Sequence, residues 1–255
     1  MSRSPFDLTG RVALVTGASR GIGFAMADAL AAAGADIVGV SATLDPADSA
    51  IGRRMKDRGR EFRGFAVDFR ERGAVLSFAD ELDALDRPVD ILINNAGTIR
   101  RSPAAEHPLE LFDEVLAVNL ASQFALTQRV GRGMLERGHG RVIFTASLLS
   151  FQGGVNVPGY AAAKSGVAGL TRALSNEWAG RGVTVNAIAP GYIATDNTQA
   201  LQDDEARSQA IVDRIPAGRW GRASDLGGAA VFLASEAAAY VSGAILPVDG
   251  GWLGR

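Results

Sequence analysis

The chain has 255 residues, 47% of them hydrophobic, no cysteine, and 26 basic against 28 acidic side chains, for a formal net charge of −2. That length suits one large α/β domain or two small ones, and the near-balanced charge gives no electrostatic case for nucleic acid. Zero cysteine excludes disulfides, thiolate catalysis and thiolate-bound zinc, and the two histidines, His107 and His139, stand too far apart in sequence to suggest a histidine-built metal site.

The elements alternate along the chain. "RVALVTG" (11–17) is a short β-branched run ending in glycine, as a buried strand does, and "GIGFAMADALAAAG" (21–34) has helical composition with Gly34 as its stop. "DIVGV" (36–40) reads as a second strand, and "DPADSAIGRRMKDRG" (45–59) as a polar helix with Asp45 at its N-cap and Pro46 at its first position. A third strand over 62–68, a helix over 70–86 and a fourth strand over 89–97 follow. One long helix is expected over 109–132, then a strand over 140–147, a helix over 157–180 and a strand over 183–190. Residues 191–222 break the alternation; they are polar, with one amphipathic stretch at about 199–214, and the part over 191–216 reads as a substrate lid. A helix over 224–235 and a strand over 244–249 close the chain. Strands alternating with helices imply a mostly parallel sheet covered on both faces, here seven-stranded, doubly wound and in a single domain over 1–255.

The start "MSRSPFDLTG" lacks the apolar core of a secretory signal. No run approaches the ~18 uncharged apolar residues of a membrane span. The expected compartment is the cytoplasm, with no membrane partner.

"TGASRGIG" places Gly17, Gly21 and Gly23 directly after the first strand and at the start of a helix. There a glycine permits the sharp turn, and free N–H groups together with the helix dipole favour a pyrophosphate. The same glycines alone also make an ordinary tight turn. In open α/β sheets, however, ligands sit at the carboxyl ends of strands. Asp68, Asn94, Asn95, Ser147 and the Pro190-Gly191 pair all stand at such ends, as one long cleft requires.

"GYAAAK" (159–164) holds one of only two lysines and one of only three tyrosines in a chain with 24 arginines. Tyr160 and Lys164 are one helical turn apart and share a face. A free tyrosine, with a pKa of about 10, is a poor base at neutral pH, and a neighbouring ammonium is expected to lower that value. Tyr160 is then placed to exchange a proton with a hydroxyl or carbonyl oxygen that Ser147 also holds. An arginine at 164 is forked and bulkier and does not substitute for that point charge. A chance Tyr/Lys pair on a solvated face is the bland alternative.

Taken in order, "TGASRGIG", "NNAG" (94–97), Asn119 in "VNLASQF", Ser147, "YAAAK", "APGYIAT" and the closing "VDGGW" stand at separations that resemble a short-chain dehydrogenase/reductase, over essentially the whole chain. The resemblance implies a Rossmann fold, a nicotinamide cofactor and a catalytic tetrad of Asn119, Ser147, Tyr160 and Lys164, in which Asn119 holds a water that connects Lys164 to a proton relay. The cofactor set expected on this basis is Gly17, Arg20, Gly21, Ile22, Gly23, Ser41, Asp68, Asn95, Ala96, Gly97, Tyr160, Lys164, Pro190, Gly191, Ile193 and Thr195, with Asp68 on the adenine and Thr195 over the nicotinamide amide. "NNAGTIRR", "SLLSFQGGVNVPGYAAAKSG" and "VDGGWLGR" further resemble the branch of that family acting on six-carbon sugar acids. That branch implies a small sugar-acid substrate. One of the adjacent arginines 100 and 101 is suited to clamp its carboxylate; Arg101 is favoured. Gln152, Asn156 and Gln199 are the candidates for sugar hydroxyls.

The cofactor is ambiguous. An acid at the end of the second strand selects NAD, whereas "GVSAT" offers Ser41 and Thr43, and Arg20 suits a 2′-phosphate. The sugar-acid resemblance leads the expectation to NAD(H), with NADP(H) open. A 3-oxoacyl or other carbonyl reductase of the same family, and a nucleotide sensor without turnover, are the competing functions. The small-residue helix "GYAAAKSGVAGLTRA" and the C-terminal "VDGGW" suggest a homotetramer.

Overall fold

A computed structural model describes residues 4–255. Nine strands are assigned among them: β1 (Val12–Thr16), β2 (Asp36–Ser41), β3 (Phe62–Ala66), β4 (Ile91–Asn94), β5 (Gly140–Thr145), β6 (Val183–Pro190), β7 (Ile193–Ala194), β8 (Gly221–Arg222) and β9 (Ile245–Val248). The α-helices are α1 (Gly21–Ala32), α2 (Ala50–Asp57), α3 (Arg72–Leu82), α4 (Leu109–Leu116), α5 (Ser122–Arg137), α6 (Pro158–Trp178), α7 (Gln199–Gln202), α8 (Glu205–Arg214) and α9 (Gly227–Ala234).

Seven strands form one sheet in the order β3-β2-β1-β4-β5-β6-β9, and every neighbouring pair is parallel. The order reverses between β1 and β4, which opens a crevice at their carboxyl ends. Alternation along β1 shows how the layers form. Val12 and Leu14 join a cluster with Phe78, Leu126, Val167 and Trp178 from α3, α5 and α6. Ala13 and Val15 point to the other face, against Met26, Leu30, Ile51 and Leu233 from α1, α2 and α9. Successive strand residues face opposite ways, so a strand covered on both faces is apolar throughout. Each fully buried large apolar side chain contributes roughly 1.5–3 kcal/mol before chain entropy is charged against it.

Three helix boundaries differ from the sequence expectation. The second helix starts at Ala50, with Ser49 accepting from the Gly52 N–H at its N-cap; Asp45 instead caps a turn, accepting from Ala47 and Asp48. The third is shorter at both ends, Arg72–Leu82. The expected single helix over 109–132 is α4 and α5 joined by a π turn over Ala117–Ala121, and α5 runs on to Arg137. The fourth strand spans only Ile91–Asn94, so 95–97 are loop. On α1, Asp28 takes both Arg54 and Arg58 at 2.5–3.2 Å, which ties α1 to α2 and holds its carboxyl down at about 2.

The excursion after β6 has its own order. β7 and β8 pair parallel as a two-stranded sheet, α7 and α8 lie between them, and Ile211, Ile215 and Trp252 form a small apolar cluster with Leu148.

Candidate active site

The crevice is a cleft of about 540 Å³, running from the glycine loop to Tyr160. All but one of the expected cofactor residues line it; the exception is Gly23, which lies behind the loop. Gly17 turns the chain at φ +67°, and a Cβ there would sit 2.8 Å from Asn95 Nδ2. A Cβ on Gly23 would lie 2.6 Å from the same nitrogen and closer still to the Gly17 carbonyl oxygen. These two glycines let β1, α1 and the loop after β4 close on one another.

Thr16 completes that junction. Its hydroxyl accepts from the Asn95 and Ala96 N–H groups, both at 2.8 Å, and Asn95 Nδ2 returns to the Thr16 carbonyl at 3.1 Å. Gln123 donates to the Ala96 carbonyl at 2.6 Å from the other side. No side chain caps α1, and its first turn carries no acid. Gly21 and Ile22 at that turn line the cleft. An uncapped helix start on a glycine cradle fits a dinucleotide pyrophosphate.

At the other end, β5 delivers Ser147 and α6 delivers Tyr160 and Lys164. Ser147 stands at the cleft beside Tyr160, its hydroxyl accepting from the Leu149 N–H at 3.2 Å and lowering the Tyr160 phenol. Lys164, 2% exposed, donates to the Thr145 carbonyl at 2.6 Å and stands 5.5 Å from the centre of the Tyr160 ring. Ser150 fixes the helix to this strand end by donating to the Lys164 carbonyl at 2.7 Å.

The charges differ from the expectation. Burial pushes the Tyr160 phenol up; Ser147 and, more weakly, Arg101 pull it back. The expected lowering by Lys164 is therefore not the governing effect. Burial brings Lys164 itself down to about 8, still above pH 7, so it remains mostly an ammonium there. Because the chain has only Lys56 and Lys164, lysine-selective NMR labelling gives two side-chain signals. One is expected to titrate with a midpoint near 8 and to vanish in Lys164→Arg. A pair of signals that both titrate above 10 contradicts the buried ammonium.

Asn119 sits on the π turn, fully buried. Its amide donates to the Thr98 carbonyl and accepts from the Thr98 N–H, both at 2.8 Å. It thus pins the loop after β4, and does not itself line the cleft. π turns recur at functional sites because they displace a side chain from the α-helical register.

Three arginine–acid pairs border the cleft. Asp68 is held by Arg70 at 2.5–3.1 Å, which keeps its carboxyl below the usual range. Arg100 makes a two-pronged contact with Glu114 at 2.9 and 2.7 Å and also reaches the Thr98 hydroxyl. Arg20 meets Asp196 at 3.5 Å. Arg101 differs: it is exposed and, unlike Arg100, not part of the cleft lining, and its hydrogen bond goes to a neutral group, the carbonyl of the lining residue Asn197, at 3.3 Å.

The expected hydroxyl-binding residues scatter. Gln152 accepts from the Trp252 indole at 3.4 Å. Asn156, at φ +62°, is exposed beside Ser102, whose N–H it holds at 3.0 Å. Gln199 is turned onto Asp203 at 2.7 Å, outside the cleft, because residues four apart on a helix meet. Sequence reasoning missed Thr16, Gln123, Thr145 and Glu114. Only Thr16, beside the glycine loop, carried a local signal; the others act through contacts between segments distant in sequence.

Comparisons with known proteins agree with this geometry. A family model described as enoyl-(acyl carrier protein) reductase matches residues 17–253. The 2-dehydro-3-deoxy-D-gluconate 5-dehydrogenase of Pseudoalteromonas atlantica is 59% identical over 250 residues, covering 98% of each chain. A crystal structure of an Agrobacterium tumefaciens protein assigned as a 2-deoxy-D-gluconate 3-dehydrogenase, with bound NADP, superimposes with a TM-score of 0.93 at 51% identity, covering 99% of this chain and 100% of that one. One from Beutenbergia cavernae, assigned as an NAD(P)-dependent gluconate 5-dehydrogenase and also with bound NADP, gives 0.95 at 49% identity, with the same coverage.

Proposed function

The chain belongs to the short-chain dehydrogenase/reductase family, and from that premise we propose that it oxidises a secondary alcohol, or reduces the matching ketone, on a six-carbon sugar acid of the 2-dehydro-3-deoxy-D-gluconate type. One observation carries the reading: a single cleft joins the glycine loop to Ser147, Tyr160 and Lys164, and Arg101 bonds the carbonyl of Asn197, which lines it.

A bound nicotinamide cofactor supplies or accepts the hydride. Ser147 holds the reacting oxygen by a hydrogen bond. Tyr160 gives that oxygen a proton in reduction and takes one in oxidation. With the phenol pushed up by burial, Tyr160 is protonated at neutral pH and ready as an acid. Lys164 favours the phenolate that forms when the proton leaves. Asn119 acts at one remove by fixing Thr98. Arg101 holds the substrate carboxylate; Arg100, already committed to Glu114, holds the loop.

The cofactor is a nicotinamide dinucleotide, and our reading of it is NADP(H). The end of β2 and the residues just beyond offer Ser41, Ala42 and Thr43 to the cleft and no acid for a ribose diol, while Arg20 stands across the glycine loop. The two structural neighbours that carry NADP support this over the NAD(H) expected from sequence. Initial rates on a panel of sugar acids, with both cofactors, test the reading. The highest kcat/KM is expected for a 2-dehydro-3-deoxy-gluconate or 2-deoxy-gluconate substrate with the phosphorylated cofactor. Faster turnover of 3-oxoacyl thioesters or neutral alcohols defeats it.

The assembly we propose is a homotetramer. α6 exposes small residues, Ala162, Ser165 and Gly169, and the neighbouring α4 and α5 expose Leu109 and Phe124. Light scattering should return about four times the 26.5 kDa chain mass; a monomer refutes it.

A further inference from the structure

The turn Thr195–Thr198, ahead of α7, is fixed by its own bonds. The Thr198 hydroxyl lies 2.7 and 2.9 Å from the carbonyls of Ile193 and Thr195, and accepts from the Thr195 N–H and the Gln202 amide at 3.1 Å each. The Thr195 methyl lies 3.7 Å from where a Cβ on Gly21 would stand, so the turn rests on the glycine loop. From this platform Asp196 reaches Arg20, Nε to Oδ2 at 3.5 Å, with the two side chains 74% and 77% exposed.

Arg20 also adjoins the opposite side of the cleft. Its neighbour Ser19 donates its N–H to Ser41 Oγ at 3.1 Å, and Ser41 belongs to the strand end where a cofactor ribose is read. Two anions can therefore claim one guanidinium: the Asp196 carboxylate on one side, and a ribose phosphate beside Ser41 on the other. The exposed pair with Asp196 is weak, so a ligand anion can displace it at small cost.

We propose that Asp196 is a cofactor-specificity residue: by holding Arg20 on its own side of the cleft, it lowers affinity for the 2′-phosphorylated cofactor relative to the unphosphorylated one. The proposal rests on the reading of Arg20 as the 2′-phosphate partner.

The test is a fluorescence titration of NADPH and NADH against the full-length protein as wild type, Asp196→Asn, Arg20→Ala and the double variant. Asp196→Asn is expected to tighten NADPH by about two- to fivefold, the scale of an exposed pair, and to leave NADH nearly unchanged. The gain should shrink in high salt, which screens exposed charges. In the Arg20→Ala background the same substitution should do nothing. If Arg20→Ala weakens both nucleotides equally, the reading of Arg20 fails and the proposal falls with it. If Arg20→Ala selectively weakens NADPH, that reading stands; the Asp196 proposal is then overturned should Asp196→Asn leave NADPH unchanged, weaken it, or tighten it equally without Arg20. Asp196→Ser serves as a second variant should the asparagine disturb the turn.

Discussion

Tyr160→Phe is expected to lower turnover by about 10²- to 10⁴-fold, the range for removing a positioned proton donor, while nicotinamide nucleotide still binds. Phenylalanine keeps the ring that stands 5.5 Å from the Lys164 ammonium and removes only the hydroxyl. The loss belongs in kcat, because the proton moves only in the chemical step. The cleft keeps its glycine loop and the Thr16 and Gln123 contacts, so the nucleotide Kd should stay within about threefold, under 1 kcal/mol on the logarithmic scale of affinity. Stopped-flow turnover and a binding titration on the same preparation check both halves. Turnover within tenfold of the parent would falsify the role given to the phenol.

Arg101→Ala should lower kcat/KM on the best sugar acid by roughly 10- to 150-fold, from the roughly 1.5–3 kcal/mol of a hydrogen bond to a charged group. That range applies because Arg101 is exposed and not buried. Arg101→Lys should fall between, since a point charge cannot reproduce a forked contact. The neighbouring position supplies a control. Arg100 already grips Glu114 and the Thr98 hydroxyl, so its removal should loosen the loop and lower thermal stability as well as activity. A neutral analogue lacking the carboxylate should react poorly with the parent and equally poorly with Arg101→Ala. Parent-like kinetics for Arg101→Ala on the sugar acid would move the carboxylate clamp elsewhere.

Much of the fold and part of the site were legible in the chain. Strands and helices were readable because their side-chain periods, 2 and 3.6, are local properties written residue by residue. A strand buried on both faces, such as β5, is apolar along its length, and the Tyr160–Lys164 spacing is a single helical turn. The glycine loop was readable for a similar reason: the turn, the helix start and the preceding strand are contiguous.

What the amino-acid order determined by itself was therefore the doubly wound architecture, the place of the cleft and the membership of Ser147, Tyr160 and Lys164 in one site. The tertiary structure alone decided how charged and polar groups pair, because partners on distant segments meet only when the sheet is assembled. Two adjacent arginines were equivalent as letters, yet Arg100 faces Glu114 on α4 and Arg101 faces the Asn197 carbonyl on the segment after β7. The π turn that carries Asn119 has no period of its own in the sequence. The Tyr160 shift ran opposite to the expected lowering for the same reason, since one helical turn places the ammonium nearby but only packing sets the burial that raises the phenol.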